Sequence, residues 1–89
     1  MDELMQTAER AALSVEGVAA LTGKRLTLTK DKNQDLVFDV YLLARYGCRI
    51  PEMAWDIQET VKKEVAGLTE TAISKINIHV QGVSFDEQL

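Results

Sequence analysis

A single cysteine, Cys48, stands between Arg45 and Arg49 in the stretch RYGCRIP, three residues ahead of a proline. Two guanidinium groups and a nearby helix start both favour a thiolate, so this is a setting in which a nucleophilic thiol could be activated. Thiol catalysis also needs a base. The only histidine, His79, falls in a distant segment where it alternates with Asn77 and Gln81. The same residues read as a corner between a strand and a helix. Gly47 turns the chain, Ile50 plugs the core, and Pro51 opens the helix at a position where a missing N–H costs nothing. The corner is the expected reading.

Asp39 is the second candidate, a carboxylate inside the apolar run DLVFDVYLLARY. A general base would need a reacting partner within reach, and no acid or nucleophile accompanies it. The expectation is a polar residue on an open sheet face, hydrogen-bonded to Thr27 or paired with Arg25 across a hairpin. One histidine and one cysteine would leave a zinc site dependent on carboxylates, so no metal is expected. Neither G-x-G-x-x-G nor a P-loop pattern occurs, and no cofactor or catalytic residue is expected.

The elements that must position these residues follow from periodicity. Leu4, Ala8, Ala11, Ala12 and Val15 recur at three- and four-residue spacing, which predicts a first helix stopped at Gly17. VAALTG reads as a short turn. KRLTLTK alternates as a strand, with Leu26 and Leu28 on one side, and DKNQ is a turn. In the next strand Leu36, Phe38, Val40, Leu42 and Ala44 make an unbroken apolar face, opposite Val37, Asp39, Tyr41, Leu43 and Arg45. The first set is placed inside. Ile50, Ala54, Ile57, Val61, Val65 and Leu68 predict a second amphipathic helix, with Gly67 as its cap. ISKINIHVQGV is a third strand, with Ile76, Ile78 and Val80 on one face.

The order is α-β-β-α-β. The first two strands form a hairpin, and the third arrives through a right-handed helical crossover, parallel to the second. The expected fold is α+β in two layers: two helices on one face of a three-stranded mixed sheet, with the other face open. Strand order is left undecided between the third strand's two possible neighbours. Residues 1–89 form one domain, because a chain of 89 residues buries only about 60–65% of its unfolded surface and needs most of its apolar side chains for one core.

Composition excludes several classes. A chain that is 46% apolar and 27% charged is neither disordered nor membrane-spanning, and no apolar run approaches the roughly 20 residues of a transmembrane helix. Direct membrane insertion is not expected. One cysteine gives no internal disulfide, and the N-terminal MDELMQTAER has no apolar signal core, so a cytoplasmic location is expected. The net charge of −4, with basic residues dispersed among carboxylates, removes the electrostatic term that drives nucleic-acid binding. The topology is shared with KH-type RNA-binding domains, and a KH-like nucleic-acid-binding domain is the alternative. Those clamp RNA with a G-x-x-G loop that is absent here, and iron–sulfur scaffold domains of similar topology need a C-x-x-C that is also absent.

What remains is surface hydrophobicity. Leu13 lies opposite the buried stripe of the first helix. Trp55 lies roughly 120° from the centre of the second stripe, by the advance of 100° per residue. Val37, Tyr41 and Leu43 line the open sheet face. Clustered apolar and aromatic side chains of this kind mark partner-binding surfaces.

These segments together resemble the alkaline shock protein family of bacterial cell-envelope stress response proteins. The resemblance rests on Val15, Gly17 and Val18; on Tyr46 and Gly47; on Ile50, Ala54, Ile57, Gln58 and Val61; and on Ile76, Asn77, Ile78 and Val80. It runs through nearly the whole chain, and the order and spacing of the motifs carry it. AGLTET replaces the family's more explicit T-G-L turn, Cys48 is outside the pattern, and the long charged extensions of some members have no counterpart. The resemblance implies a non-enzymatic role in envelope homeostasis and alkaline or cell-wall stress in Gram-positive bacteria. It also implies a cytoplasmic protein, held at the membrane in some members by an anchored partner that shares the domain. The expected partners are a second copy, giving a homo-oligomer, or such a membrane-anchored relative, met through the open sheet face and the Trp55 side of the second helix.

Overall fold

Along Leu36–Arg45 every second side chain is withdrawn from water. Leu36, Phe38, Val40, Leu42 and Ala44 are each at most 2% exposed, and the residues between them are half-buried. That is the inner face expected from the two-residue period of a strand. The structure, a computed structural model describing residues 2–85, builds two layers around it. The elements are α1 (Asp2–Leu13), β1 (Val18–Lys30), β2 (Leu36–Arg45), α2 (Ile50–Ala66) and β3 (Ile73–Ser84).

β2 is central in the order β1-β2-β3. It pairs antiparallel with β1, Leu28 opposite Phe38 and Leu26 opposite Val40. It pairs parallel with β3, Phe38 opposite Ile76 and Val40 opposite Ile78. This settles the strand order left undecided by the sequence. The hairpin closes at Asp31, whose Oδ1 accepts the backbone N–H groups of Asn33 and Asp35 at 2.9 and 3.0 Å. Such side-chain capture of nearby amides is what suits aspartate to turns. Both helices bring apolar side chains to the inner face: Ala8, Ala11 and Ala12 from α1, and Met53, Ile57, Val61 and Val65 from α2.

Three expectations need correction. VAALTG is not a turn. It is the first part of β1, pairing Val18 with Ala44 and Leu21 with Leu42 before a register irregularity ahead of Leu26. Gly23 and Arg25 sit in that irregularity with φ of 60° and 65°. Tertiary pairing with an apolar neighbour overrides the weak strand propensity of Ala and Gly. Secondly, α1 ends at Leu13 rather than at Gly17, and the Ser14 hydroxyl donates to the Ala11 carbonyl at 2.7 Å, satisfying an orphan acceptor at the helix end.

The third correction concerns α2. Its buried stripe is Met53, Ile57, Val61 and Val65, while Ile50 and Leu68 are 37% and 44% exposed and Ala54 is half-buried. Ile50 therefore does not plug the core; Met53 does. Gly17 explains the exchange. Its φ is 104°, and a Cβ there would lie 3.3 Å from both Met53 Cγ and Cys48 Cβ. The missing side chain makes the hollow that Met53 fills. Gly67, by contrast, caps α2 with an ordinary right-handed φ of −76°.

The two glycines should respond oppositely to alanine. Gly17→Ala meets both a forbidden φ and occupied space, and is expected to destabilise by at least about 1–2 kcal/mol. Gly67→Ala meets only the Glu64 carbonyl oxygen at 3.6 Å and is expected to be neutral or to stabilise by about 0.5 kcal/mol. Urea unfolding with an unchanged slope would check both.

Candidate interaction surface

On the sheet face turned away from the helices, β2 and β3 build one connected polar and aromatic group. Asp39 and Asn77 are opposite each other in the parallel register, as are Tyr41 and His79. The Asn77 side-chain amide donates to Asp39 Oδ1 at 3.1 Å. His79 Nε2 lies 2.9 Å from the same oxygen. An ionised carboxylate only accepts, so the histidine donates from Nε2. The imidazole also stacks on the Tyr41 ring, with centroids 4.5 Å apart and planes 12° from parallel. Hydrogen bonding from His79 holds the Asp39 carboxyl below its ordinary value, aided by Asn77 and by the charge of Lys24 and opposed by partial burial.

Asp39 thus sits on the open face as expected, but with different partners. Thr27 is its register neighbour on β1, yet the carboxylate turns to β3. Arg25 is diverted by its positive φ and pairs instead with Glu9 of α1 at 3.3 Å. A depressed carboxyl that already accepts two hydrogen bonds is a weak general base at neutral pH. Val37, Tyr41 and Leu43 share this face and are half-buried; Leu43 packs over Gly82, where an added Cβ would lie 3.4 Å from Leu43 Cδ2.

Trp55 and Leu13 lie in the helix layer, on different helices, so the five sequence-chosen residues do not form one patch. Trp55 is 61% exposed and Leu13 45%. Trp55 borders a groove of about 400 Å³ between α2 and β3, lined also by Gln58, Glu59, Lys62, Ile73 and Lys75. Gln58 crosses beneath it and donates from Nε2 to the Ile76 carbonyl at 2.9 Å.

Residues 26–85 match the model of the alkaline shock protein 23 family, described as having a cell envelope-related function. The chain belongs to the alkaline shock protein 23 family. Among its relatives, the uncharacterized Streptococcus pyogenes protein Spy1535 is 36% identical over 72% of this chain and 50% of its own length. The uncharacterized Bacillus subtilis proteins YqhY and YloU are 29% and 33% identical, over 85% and 61% of this chain and 67% and 45% of theirs. The chain therefore spans about half to two thirds of these relatives. Several solved structures of MamM CTD, one described as a nickel form, superpose with TM-scores near 0.60 at 22% identity over 92% of this chain. That likeness shows the fold. Among the described residues, no three His, Cys, Asp or Glu side chains come together as a metal site, and no helix is long and apolar enough to cross a membrane.

The alkaline shock protein 23 family pattern acquires physical reasons here. Gly17 makes room for Met53 and Cys48, Gly47 turns the strand–helix corner with φ of 89°, and Gln58 ties α2 to β3. Cys48 is half-buried against the core at that corner, its backbone N–H bonded to the Arg45 carbonyl at 3.1 Å. It shares an open cleft of about 380 Å³ with Arg49, Glu52 and Asp56, whereas His79 is engaged with Asp39 on the open sheet face.

Sequence reasoning missed one group. Val80 and Val83, 37% and 49% exposed, lie opposite Leu42 and Ala44 and so face the helix layer, but neither is buried. Phe85, 57% exposed, leans on Tyr46 with centroids 4.6 Å apart. The alternation of β3 marks Val80 as inward; the signal that it stays uncovered is that α2 begins at Ile50, too late to cover the far end of β3.

The Asp39 cluster has a pH consequence. A carboxyl held low by the fold stabilises it above the unfolded value of about 3.9, and that contribution is lost as pH falls through the folded value. Asp39→Asn should therefore cost stability at neutral pH, with the gap from wild type closing as pH falls below the ordinary carboxylate value of about 3.9 and through the lower folded one. Urea midpoints of both proteins from neutral to acid pH would measure it.

Proposed function

We propose that this chain is a non-enzymatic interaction module acting on the inner side of the cell envelope in stress response and homeostasis. It works by self-association or by docking to a membrane-anchored relative. The observation that carries this reading is Trp55: the core closes without it, and the largest apolar side chain of the protein stands 61% exposed beside a groove. Exposed aromatic anchors next to concave surface are the usual centres of binding energy. The cell envelope-related family supports the setting. A cytoplasmic site fits a single free cysteine and the absence, among the described residues, of a membrane-crossing helix.

A nucleic-acid reading has less support. The net charge is −4, and the Asp39 cluster places a carboxylate in the middle of the open sheet face. Phosphate would be repelled there rather than neutralised.

Trp55→Ala is expected to weaken association by about tenfold or more, the scale of a binding hot spot, while leaving the fold intact. Tyr41→Glu tests the open face in the same way. Light scattering of purified protein, together with retention on membranes carrying the anchored relative, provides the readout. Monomeric wild type at high concentration, with membrane retention equal in all three proteins, would overturn the proposal.

A further inference from the structure

β3 is an edge strand along its whole length, Ile73–Ser84. On such a strand alternate residues turn their N–H and C=O groups away from the sheet. The Ile76 carbonyl is one of these, because it accepts from Gln58 of α2. Ile78 and Val80 share its alternation and have no such side-chain partner among the described residues. Unpaired edge groups are a template for a further strand.

The two edges of the sheet are built differently. β1 carries Lys24, Arg25 and Lys30, a ladder that breaks off between Leu21 and Leu26, and positive φ at Gly23 and Arg25. These are the devices that stop a strand from pairing onward. β3 has no proline and no positive-φ residue, its single charged residue is Lys75, and its ladder, shifted by one residue after Ile73 and again after Val80, runs in regular register from Lys75 to Val80.

β3 also carries two complementary halves. The Trp55 groove runs beside Ile73, Lys75 and Ile76 at its start. Val80 and Val83, uncovered on the same helix-side face, stand at its end, followed by Phe85. An antiparallel neighbour of identical sequence would bring its own end against this groove and offer its groove in return. Charge selects the same orientation. At about 3.3 Å per residue, two copies paired antiparallel near His79 hold their Lys75 ammoniums about 26 Å apart, whereas parallel pairing would set them side by side.

We infer that a second copy of this chain pairs its β3 antiparallel with this β3 about a two-fold axis near His79. The second copy's Val80 and Val83 then enter the Trp55 groove, and the two sheets become one. The inference rests on the interaction-module reading and names the partner of its Trp55 side. The contact is isologous, and the blunted β1 edges end the assembly at a dimer rather than a fibre.

The test combines sedimentation equilibrium with directed oxidation. Wild type is expected to be dimeric. Val80→Lys and Val83→Lys, which place charge on the edge without touching the buried core, should raise the dissociation constant about tenfold or more while keeping the wild-type circular dichroism. In a Cys48→Ala background, His79→Cys should oxidise to a covalent dimer, and Thr29→Cys, on β1, should not. The cross-linking decides the matter if the lysine variants unfold. A monomeric wild type that still binds the anchored relative would overturn this inference and leave the interaction module standing. A dimer broken by Tyr41→Glu but kept by Val83→Lys would do the same, moving self-association to the open sheet face. Equal cross-linking at positions 79 and 29 would also overturn it.

Discussion

The alternation of β2 is the constraint on which the rest depends. Its inner side chains are dry from end to end, and Leu36, Phe38, Val40 and Leu42 each contribute roughly 1.5–3 kcal/mol by leaving water. A slip of one residue in register would exchange the faces, carrying Asp39 into the core and Phe38 out of it. A buried, unpaired carboxylate costs several kcal/mol, so the register is held by both faces together. β2 also supplies both ladders, antiparallel to β1 and parallel to β3. Every other element is placed by reference to it.

The helix layer completes the core only in part. α1 contributes mainly alanines, which let it lie close, and α2 contributes one straight row of larger side chains. That row starts at Met53, seated over Gly17. Trp55 is then rotated out of the core, and the far end of β3 runs beyond the start of α2. Exposure of Trp55, Val80 and Val83 is thus the geometric remainder of a small core that closes early. The envelope-related family and the outward apolar surface meet at this point.

Much of this was legible in the residues. The order of elements, the two-layer arrangement and the inner face of β2 follow from periods of two and 3.6, which few alternatives satisfy in so short a chain. The family follows from the spacing of its turn and core residues. The start of β1 was hidden because Val18–Leu21 lacks alternation and takes its strand form from pairing with Leu42 and Ala44. The phase of α2 was hidden because Ile50 and Met53 fit the apolar period equally well, and only the space over Gly17 decides between them. The partners of Asp39 required knowing that Asn77 and His79 of β3 stand beside it; strand order is a long-range fact that no local pattern carries.

The hairpin of β1 and β2 closes through the short turn at Asp31, whereas β3 reaches β2 only after the whole of α2 has been traversed. Closing the longer loop costs more chain entropy before any ladder rewards it. The third strand is therefore the costlier one to place, and the Gln58 amide of α2 is one of the points that fasten it. The strand that offers its outward edge to a second copy is thus also the one whose place in the sheet depends on the longest closure of the chain.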